Sequence, residues 1–249
     1  MPARPAWPPK SAPRLFVDGP ILAKQEVHLR EEHAHYLARV MRVASGDTVI
    51  LCDNATGEWA ATVIALSKRE VALEATQLLR PREAVPDLWL CPALLKKDRF
   101  DLVLEKATEQ GVAAIHPVVT RRCVADKLNL DRASRVVTEA AEQCARTALP
   151  EVTEPVALER LLREWPQDRA LFFADEEGGA AALEAFATRD GPAAILTGPE
   201  GGFDPAERDL IRALPQAVRV SLGPRILRAE TAAIAAISLW MAAAGDWHK

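Results

Sequence analysis

The sequence lacks long apolar runs, paired cysteines and clustered histidines. None of its uncharged apolar stretches approaches the roughly 18 residues that a membrane-spanning helix needs, so we expect no membrane partner. Its cysteines (Cys52, Cys91, Cys123 and Cys144) are scattered without a CxxC pair, and its histidines show no metal-ligand spacing. These absences predict free, buried thiols, no metal site and a cytoplasmic protein.

Three signatures of nucleotide-binding and hydrolytic enzymes are also missing. The sequence contains no GxGxxG fingerprint, no GxxxxGK[ST] loop and no GxSxG elbow. Its net charge of −4 argues against a protein that coats nucleic acid without specificity. A surface for nucleic acid would therefore have to be a local patch.

Composition and periodicity divide the chain into four parts. Residues 1–13 are rich in proline and predict a disordered tail instead of a signal peptide. Residues 14–77 show short strands typical of a small β-barrel, 78–86 read as a linker, and 87–249 alternate between strand and helix. The alternation predicts an α/β domain with a mostly parallel sheet that helices cover on both faces.

The predicted elements follow from these patterns. In the first domain, one amphipathic helix, Glu31–Val43, is expected to bury Tyr36, Leu37, Val40 and Met41 on a single face. Strands are predicted at Arg14–Val17, Thr48–Cys52, Trp59–Leu66, Val71–Ala75, Leu88–Leu94, Val112–Val119, Ala170–Ala174, Ala193–Leu196 and Val218–Leu222. Further helices are predicted after the caps Asp98, Asp131 and Asp204, at Ala180–Thr188 and from Arg228.

Two of these strands end in Gly/Pro loops that open into a helix. The first loop is Thr197-Gly198-Pro199-Glu200-Gly201-Gly202-Phe203, with Asp204, Pro205 and Glu207 as a helix start. The second loop contains Gly223-Pro224 and leads to an alanine-rich helix. Because α/β proteins bind small ligands at such strand ends, these loops are the predicted ligand site.

Both loops carry a family resemblance. LTGPEGGF followed by LGPRILRAETA closely resembles the paired signature of the RsmE family, and HYLARVMRVASGD, KKDRFDLVLEKATEQGVAAIHPVVTRRC and EAAEQCAR resemble other segments of it. The resemblance implies a C-terminal SPOUT α/β domain with a deep trefoil knot and an N-terminal PUA-like β-barrel that binds RNA. It further implies a homodimer that uses S-adenosylmethionine (SAM) and no metal to methylate uridine N3 in 16S ribosomal RNA of the small ribosomal subunit.

Carried over by position, the resemblance assigns roles to individual residues. The cofactor residues would be Thr197, Gly198, Gly201, Leu222, Ile226 and Leu227. The chemistry of methyl transfer, apart from the resemblance, makes Arg228 the candidate for electrostatic stabilisation or base positioning. It makes Glu200 and Glu230 carboxylate candidates for proton transfer, although either can instead cap a helix. RNA would contact Arg14 and Arg42, and Arg121 and Arg122 are either phosphate contacts or solvated charges.

Other functions remain open on the sequence. A SPOUT enzyme acting on another RNA is the nearest alternative, and a non-catalytic RNA-binding assembly factor or a small-molecule enzyme with an accessory barrel are others. Glu142 and Arg146, four residues apart on one helix, either pair with each other or support the active site or a dimer partner.

Overall fold

The computed structural model of the protein describes residues 12–67, 69–189 and 191–247. Of the predicted tail, 1–13, only Ala12 and Pro13 are described, so that prediction lies outside the described residues. The chain forms two compact units. The first comprises Met1–Ala84 and Ala141–Ala148, and the second comprises Val85–Ala140 and Leu149–Lys249.

The first unit is built on a sheet with one short helical segment. Its described elements are β1 (Arg14–Phe16), β2 (Glu26–Arg30), α1 (Glu31–His35), a π-helical turn (Tyr36–Val40), β3 (Thr48–Cys52), β4 (Gly57–Leu66) and β5 (Glu70–Pro81). The strand order is β1-β3-β4-β5-β2, with β1 parallel to β3 and the other neighbours antiparallel. Leu37, Val49, Leu51 and Leu73 lie in the core that the sheet and helix share.

Two features of this unit differ from the prediction. Strand β2 escapes prediction because Glu26, His28 and Arg30 are exposed on an edge strand, which leaves a weak apolar signal. The predicted helix Glu31–Val43 stops at Val40, and its last part is π-helical, with the Met41 amide bonded to the Tyr36 carbonyl. This wider turn leaves Val40 61% exposed, so the prediction of one continuous buried face is wrong.

A segment distant in sequence completes the first unit. Ala141–Ala148 belongs to it, although the residues before and after belong to the second unit. Within it, Glu142 Oε1 accepts a hydrogen bond from the Phe16 amide at 2.8 Å, and the Ala145 carbonyl accepts one from Arg80 Nη2 at 2.7 Å. These contacts give Glu142 a role in the first unit that the sequence left open.

The same segment contacts the residues that were predicted to form a linker. Strand β5 continues through Pro81, where Gly57 of β4 pairs with it, so the first residues of 78–86 are not a linker. Glu83 Oε1 accepts a hydrogen bond from the Thr147 amide at 2.7 Å and lies 4.0 Å from the buried Arg146 side chain. Cross-strand pairing outweighs the Pro and charge pattern that suggested an irregular stretch.

The second unit is an α/β sheet. Its described strands are β6 (Leu88–Pro92), β7 (Ala114–Ile115), β8 (Val118–Val119), β9 (Glu151–Val152), β10 (Val156–Ala157), β11 (Ala170–Ala174), β12 (Ala180–Ala181), β13 (Ala193–Thr197) and β14 (Ala217–Ser221). The main sheet has the order β12-β14-β11-β13-β6-β7-β9, and every neighbouring pair is parallel. The predicted α/β class with a mostly parallel sheet is confirmed.

Helices cover both faces of this sheet, as the prediction required. They are α2 (Lys97–Glu109), α3 (Leu130–Cys144), α4 (Leu158–Arg163), α5 (Ala182–Ala187), α6 (Pro205–Ala213) and α7 (Ala229–Ala243); α3 passes into the first unit at Ala141. Alternate residues of one strand serve the two faces. Phe172 of β11 packs in a core with α2, α5 and α7, while Leu171 and Phe173 pack in a second core with α4 and α6.

Some boundaries in the second unit differ from the prediction. The predicted strand Val112–Val119 is split at Pro117, which cannot donate to a ladder, and β8 pairs with β10 outside the main sheet. Helix α2 has Lys96 as its N-cap residue without a side-chain cap, so Asp98 lies in the first turn and is not the cap. Ala180–Ala181 pairs with β14, which shortens the predicted helix there.

Two further observations concern membranes and thiols. In the described ranges no helix is both long enough and apolar enough to span a membrane. All four cysteines are free, but only Cys52 and Cys91 are buried, so the expectation of buried thiols is wrong for Cys144, which is exposed.

Candidate active site

The glycine-rich loop after β13 leaves little space for side chains. A Cβ atom at Gly198 would lie 3.2 Å from the ring of Phe203, which is buried. Gly202 has a φ of +65°, and a Cβ atom there would lie 2.6 Å from the carboxylate of Glu176. Glycine at both positions lets this loop pack closely and brings its backbone to the surface that a ligand would contact.

Helix α6 fixes the far end of this loop and begins as predicted. Asp204 is the N-cap residue, and its side chain accepts a hydrogen bond from the Ala206 amide at 3.0 Å. Glu207 Oε2 accepts one from the Asp204 amide at 3.1 Å, which completes a capping box, and Pro205 occupies the first turn. The predicted helix start is confirmed.

The second loop connects β14 to α7. It turns at Gly223, whose φ is +111°, and ends at Arg228, the N-cap residue of α7. The Arg228 backbone is extended, and its exposed side chain makes no capping hydrogen bond. The helix therefore leaves this guanidinium available at the loop.

A third loop, which follows β11, completes the site and was not predicted. Asp175 begins it, and its fully buried carboxylate forms ion pairs with Arg208 (3.3 Å), Arg212 (2.8 Å) and Arg219 (3.0 Å). Burial alone would raise the pKa of Asp175, but the Arg212 hydrogen bond and the other positive charges outweigh burial and hold this pKa below its usual value. Glu176, the next residue, bonds to Arg208 at 2.6 Å. The network anchors the loop through ionic contacts.

The three loops enclose a cavity of about 500 Å³ at the carboxyl ends of β11, β13 and β14. Its walls combine apolar side chains, loop backbone and seven charged residues, which are Arg99, Asp175, Glu176, Glu200, Arg225, Arg228 and Glu230. Parallel sheets place ligands at this edge, and the volume suits a drug-sized molecule. The cavity is therefore the candidate active site.

Most of the predicted cofactor and catalytic residues come together here. The cavity is lined by Gly198, Glu200, Leu222, Ile226, Leu227, Arg228 and Glu230. Two predicted cofactor residues are not among the described lining residues. Thr197 is buried at the end of β13, where its carbonyl accepts a hydrogen bond from the Ala93 amide, and the exposed Gly201 accepts one from Arg122 Nη1 at 2.9 Å. The ligand contacts of all these residues stay predictions.

Glu230 has a different environment from that of a capping residue. Its side chain is 6% exposed in the first turn of α7, and Oε1 accepts a hydrogen bond from Arg99 Nη1 at 2.8 Å. Arg99 lies in the first turn of α2 and is 47% exposed. The pair thus places a buried carboxylate behind a guanidinium that reaches the cavity.

Arg121 and Arg122 lie beside the same loop and are engaged in internal contacts. Arg121 forms ion pairs with Asp204 (3.2 Å) and Glu159 (3.3 Å), and its amide donates to Glu207 Oε1 at 2.8 Å. Arg122 bonds to the Gly201 carbonyl and lies 4.0 Å from Asp204. These contacts favour a structural role over a phosphate contact for Arg121, and they tie Arg122 to the loop.

The two arginines predicted to bind RNA in the first unit differ sharply. Arg14 is 14% exposed and forms an ion pair with Glu58 at 2.8 Å. Burial would lower the pKa of Arg14, but the hydrogen bond and charge of Glu58 raise it above the ordinary value. Arg42 is exposed, with a φ of +55°, and no carboxylate of the described residues lies within ion-pair distance of it. Of these two arginines, Arg42 is therefore the one that has no carboxylate partner among the described residues.

Metal binding has no support in the part of the chain that the structure describes. Within it, no group of three His, Cys, Asp or Glu side chains is arranged to hold a metal ion.

Arg99, Asp175, Glu176 and Arg225 line the cavity but were not predicted from the sequence. A signal existed for Asp175 and Glu176, because they directly follow the buried strand Ala170–Ala174 as the two predicted loops follow theirs. Arg99 lies in the charged helix entrance Lys96–Arg99, which is a common pattern at exposed helix starts. Only the packing of α2 against α7 distinguishes Arg99 from its neighbours.

Comparison with known families identifies both parts of the chain. A family described as RNA methyltransferase domain matches residues 81–241, and one described as RNA methyltransferase PUA domain matches 29–75. Ribosomal RNA small subunit methyltransferase E of Synechocystis is 32% identical, with 90% of this chain and 76% of the relative covered. The Mycobacterium tuberculosis protein of the same name is also 32% identical, over 86% of this chain and 88% of the relative.

Solved structures agree in fold over nearly the whole chain. Ribosomal RNA small subunit methyltransferase E from Neisseria gonorrhoeae, solved with S-adenosyl methionine, has a TM-score of 0.86 and 27% identity, covering 95% of this chain and 99% of that one. A Legionella pneumophila protein solved with bound SAM also has a TM-score of 0.86, at 28% identity, covering 94% of this chain and 99% of that one. With its matching domains, relatives and fold, this chain belongs to the ribosomal RNA small subunit methyltransferase E family.

Proposed function

We propose that this protein transfers a methyl group from SAM to N3 of a uridine in 16S ribosomal RNA. The observation that carries the proposal is the cavity formed by the loops after β11, β13 and β14 in a chain of this family. Two relatives with TM-scores of 0.86 were solved with SAM, which supports the same methyl donor here.

The residues of the cavity fit SAM in size and chemistry. About 500 Å³ lies in the range for a ligand of this size, and Leu222, Ile226 and Leu227 offer apolar surface for a purine. Ile226 is 93% exposed and lines the cavity, so a bound ligand would remove its apolar surface from water, which favours binding. Gly198 lines the cavity without a side chain, so its main-chain groups can bind the polar parts of the ligand.

Methyl transfer to uracil N3 requires a base that removes the N3 proton and a cation that stabilises the resulting negative charge. SAM supplies an electrophilic methyl group: the N3 electron pair forms the new C–N bond while the C–S bond breaks and its pair stays on sulfur. N3 must first lose its proton, for which the exposed Glu200 on the cavity wall is our candidate acceptor, or water. Arg228 would stabilise the negative charge that then spreads to the flanking uracil oxygens.

The PUA domain would supply RNA affinity. Arg42 is exposed and positively charged, so we assign it a phosphate contact, whereas the ion pair of Arg14 with Glu58 assigns Arg14 to the stability of the first unit. Because uracil N3 is hidden in a base pair, the target uridine would have to be unpaired or extruded before reaction.

Three finer expectations belong to the same proposal. The loops of the second unit would form the deep trefoil knot of SPOUT proteins, and the reaction would take place in the cytoplasm, where ribosomal subunits assemble.

The protein would also work as a homodimer. Ile234 and Leu239 on α7 are only partly buried, so this alanine-rich helix retains apolar surface for a second copy. Sedimentation of the full chain should give twice 27.2 kDa, and a monomer with full activity would refute the dimer.

Two measurements test the proposed function. SAM at about 100 times its dissociation constant should stabilise the protein by about 2.7 kcal/mol, which raises Tm by several degrees. Mass mapping of ribosomal RNA from cells with and without the gene should then show one 3-methyluridine that depends on the gene. Methylation of another RNA alone would favour the nearest alternative, and SAM binding without any methylation would favour a non-catalytic assembly factor.

A further inference from the structure

We propose that Arg99 is a second catalytic cation of this site and that Glu230 is the residue that positions it, so Glu230 is not the general base. This inference rests on the proposed function, since it names residues for the same methyl transfer.

The first support is the placement of the pair. Arg99 and Glu230 lie in the first turns of α2 and α7, two helices that pack against each other, and both line the cavity. Their 2.8 Å hydrogen bond joins Arg99 Nη1 to Glu230 Oε1. The residues are 131 positions apart, so the contact depends on the tertiary fold and not on local sequence.

The second support is the unequal exposure of the two side chains. Glu230 is 6% exposed and Arg99 is 47% exposed, so the carboxylate lies behind and the guanidinium lies toward the solvent-filled cavity. The pair is neutral as a whole, but its positive end lies toward the cavity. A fixed dipole with this orientation stabilises negative charge that develops in the cavity.

The third support is the number of donors that remain. A guanidinium carries five N–H donors in a planar fork, and only the bond to Glu230 uses one among the described residues. The deprotonated uracil carries its charge on N3 and on the two oxygens that flank N3. Arg99 and Arg228 line the same cavity, together with Arg225 of the second loop, so Arg99 and Arg228 can each serve one of these oxygens.

Glu230 is poorly placed for proton transfer. A general base needs an oxygen within hydrogen-bond reach of the proton that it removes. Oε1 of Glu230 is bonded to Arg99, and the side chain is almost completely buried. The Glu230 carboxylate therefore acts through Arg99, and it holds the guanidinium in one orientation before the substrate arrives.

The test measures single-turnover methylation of ribosomal RNA by full-length variants. Arg99→Ala should reduce the rate by roughly 10²–10³-fold, the effect of removing one preorganised donor. Its SAM dissociation constant, measured by calorimetry, should change less than about threefold. Arg99→Lys should restore part of the rate, because an ammonium keeps the charge but lacks the fork.

A double-mutant cycle separates positioning from base catalysis. If Glu230 acts only through Arg99, then Glu230→Ala should slow the wild-type enzyme but have no further effect when Arg99 is already Ala. The defect of Arg99→Ala should also shrink as the pH rises toward the range in which uridine itself ionises, because less stabilisation of the anion is then needed. Multiplied losses in the double variant would overturn the inference and make Glu230 an independent catalyst.

Controls keep the outcome clear. Arg132→Ala removes an ion pair between Arg132 of α3 and Asp101 of α2, away from the cavity, and should leave the rate near that of the wild type. Arg99→Gln, which can still donate to Glu230, replaces Arg99→Ala if the latter fails to fold. A raised SAM dissociation constant with an unchanged rate would instead assign Arg99 to the cofactor and refute the inference. Loss of methylation in the wild-type protein itself would be a failure of the proposed function.

Discussion

Removing the charge of Asp175 should destabilise the second unit and loosen the cavity. The Asp175 side chain is fully buried and pairs with Arg208, Arg212 and Arg219. Breaking a buried pair costs about 3–5 kcal/mol, because the remaining charge is left without compensation. Here each arginine keeps a second partner, in Glu176, Glu177 or the Gly178 carbonyl. We therefore expect Asp175→Asn to cost about 3 kcal/mol, at the lower end of that range.

The expected loss of about 3 kcal/mol corresponds to a fall in Tm of roughly 6–12 °C for a protein of this size. Because the chain has two units, hydrogen exchange of peptides from β11, β13 and α6 is the better assay, as it reports the second unit alone. Asp209→Asn is the matched control. Asp209 is exposed on α6, so its substitution should stay within about 0.5 kcal/mol of the wild type.

The pH dependence provides a second check with a defined sign. The pKa of Asp175 is lowered in the folded state, so its contribution to stability is present above its unfolded pKa of about 3.9. That contribution is lost as the pH falls through the lower, folded pKa. The Asn variant should lack this part of the acid dependence. An Asp175→Asn protein as stable as Asp209→Asn, with unchanged SAM affinity, would refute the anchoring role of the network.

Three further predictions follow from single residues. Arg228→Ala should reduce turnover by about 10²–10³-fold with Tm unchanged, and normal turnover would make it ordinary surface charge. Asp204→Ala removes the capping box of α6 and should cost about 1 kcal/mol in thermal unfolding, with Asp209→Ala as its control. Arg42→Ala should lower RNA affinity and reduce the slope of log affinity against log salt concentration by about 0.7–0.9. Arg14→Ala should instead destabilise the first unit, because it breaks the ion pair with Glu58. Equal effects of both substitutions on RNA binding would contradict this division.

Much of the α/β unit could be predicted from the sequence because its strands are buried on both faces. Continuous apolar runs such as Ala170–Ala174 and Ala193–Thr197 have few interpretations, and the Asp204 helix start satisfies several rules at once. Strands β2 and β9 expose polar residues, and β9 and β10 have only two residues each, so these strands give no such signal.

The site was predictable to the extent that it lies in loops with glycine and proline. Residues that depend on contacts between distant segments were not predictable. The sequence suggests that Asp175 is an exposed acid, but in the fold it forms ion pairs with Arg208 and Arg219. The sequence likewise allows Glu230 to be a helix cap, but in the fold its side chain is bonded to Arg99. For Arg14 the resemblance suggested an RNA contact, whereas the fold pairs its side chain with Glu58, a partner that could not be foreseen from the sequence.

The inclusion of Ala141–Ala148 in the first unit has a consequence for the order in which the protein folds on the ribosome. When Ala84 emerges, the Phe16 amide still lacks its acceptor, since Glu142 is 126 positions later. At ~5–20 residues per second, the rest of this unit arrives roughly 3–13 s afterwards. Folding of the first unit therefore cannot be strictly N-terminal first, because its last contacts form only after residues 85–140 of the second unit have been synthesised. A truncated 1–84 protein would lack those contacts permanently, so an autonomous RNA-binding module would have to carry both stretches.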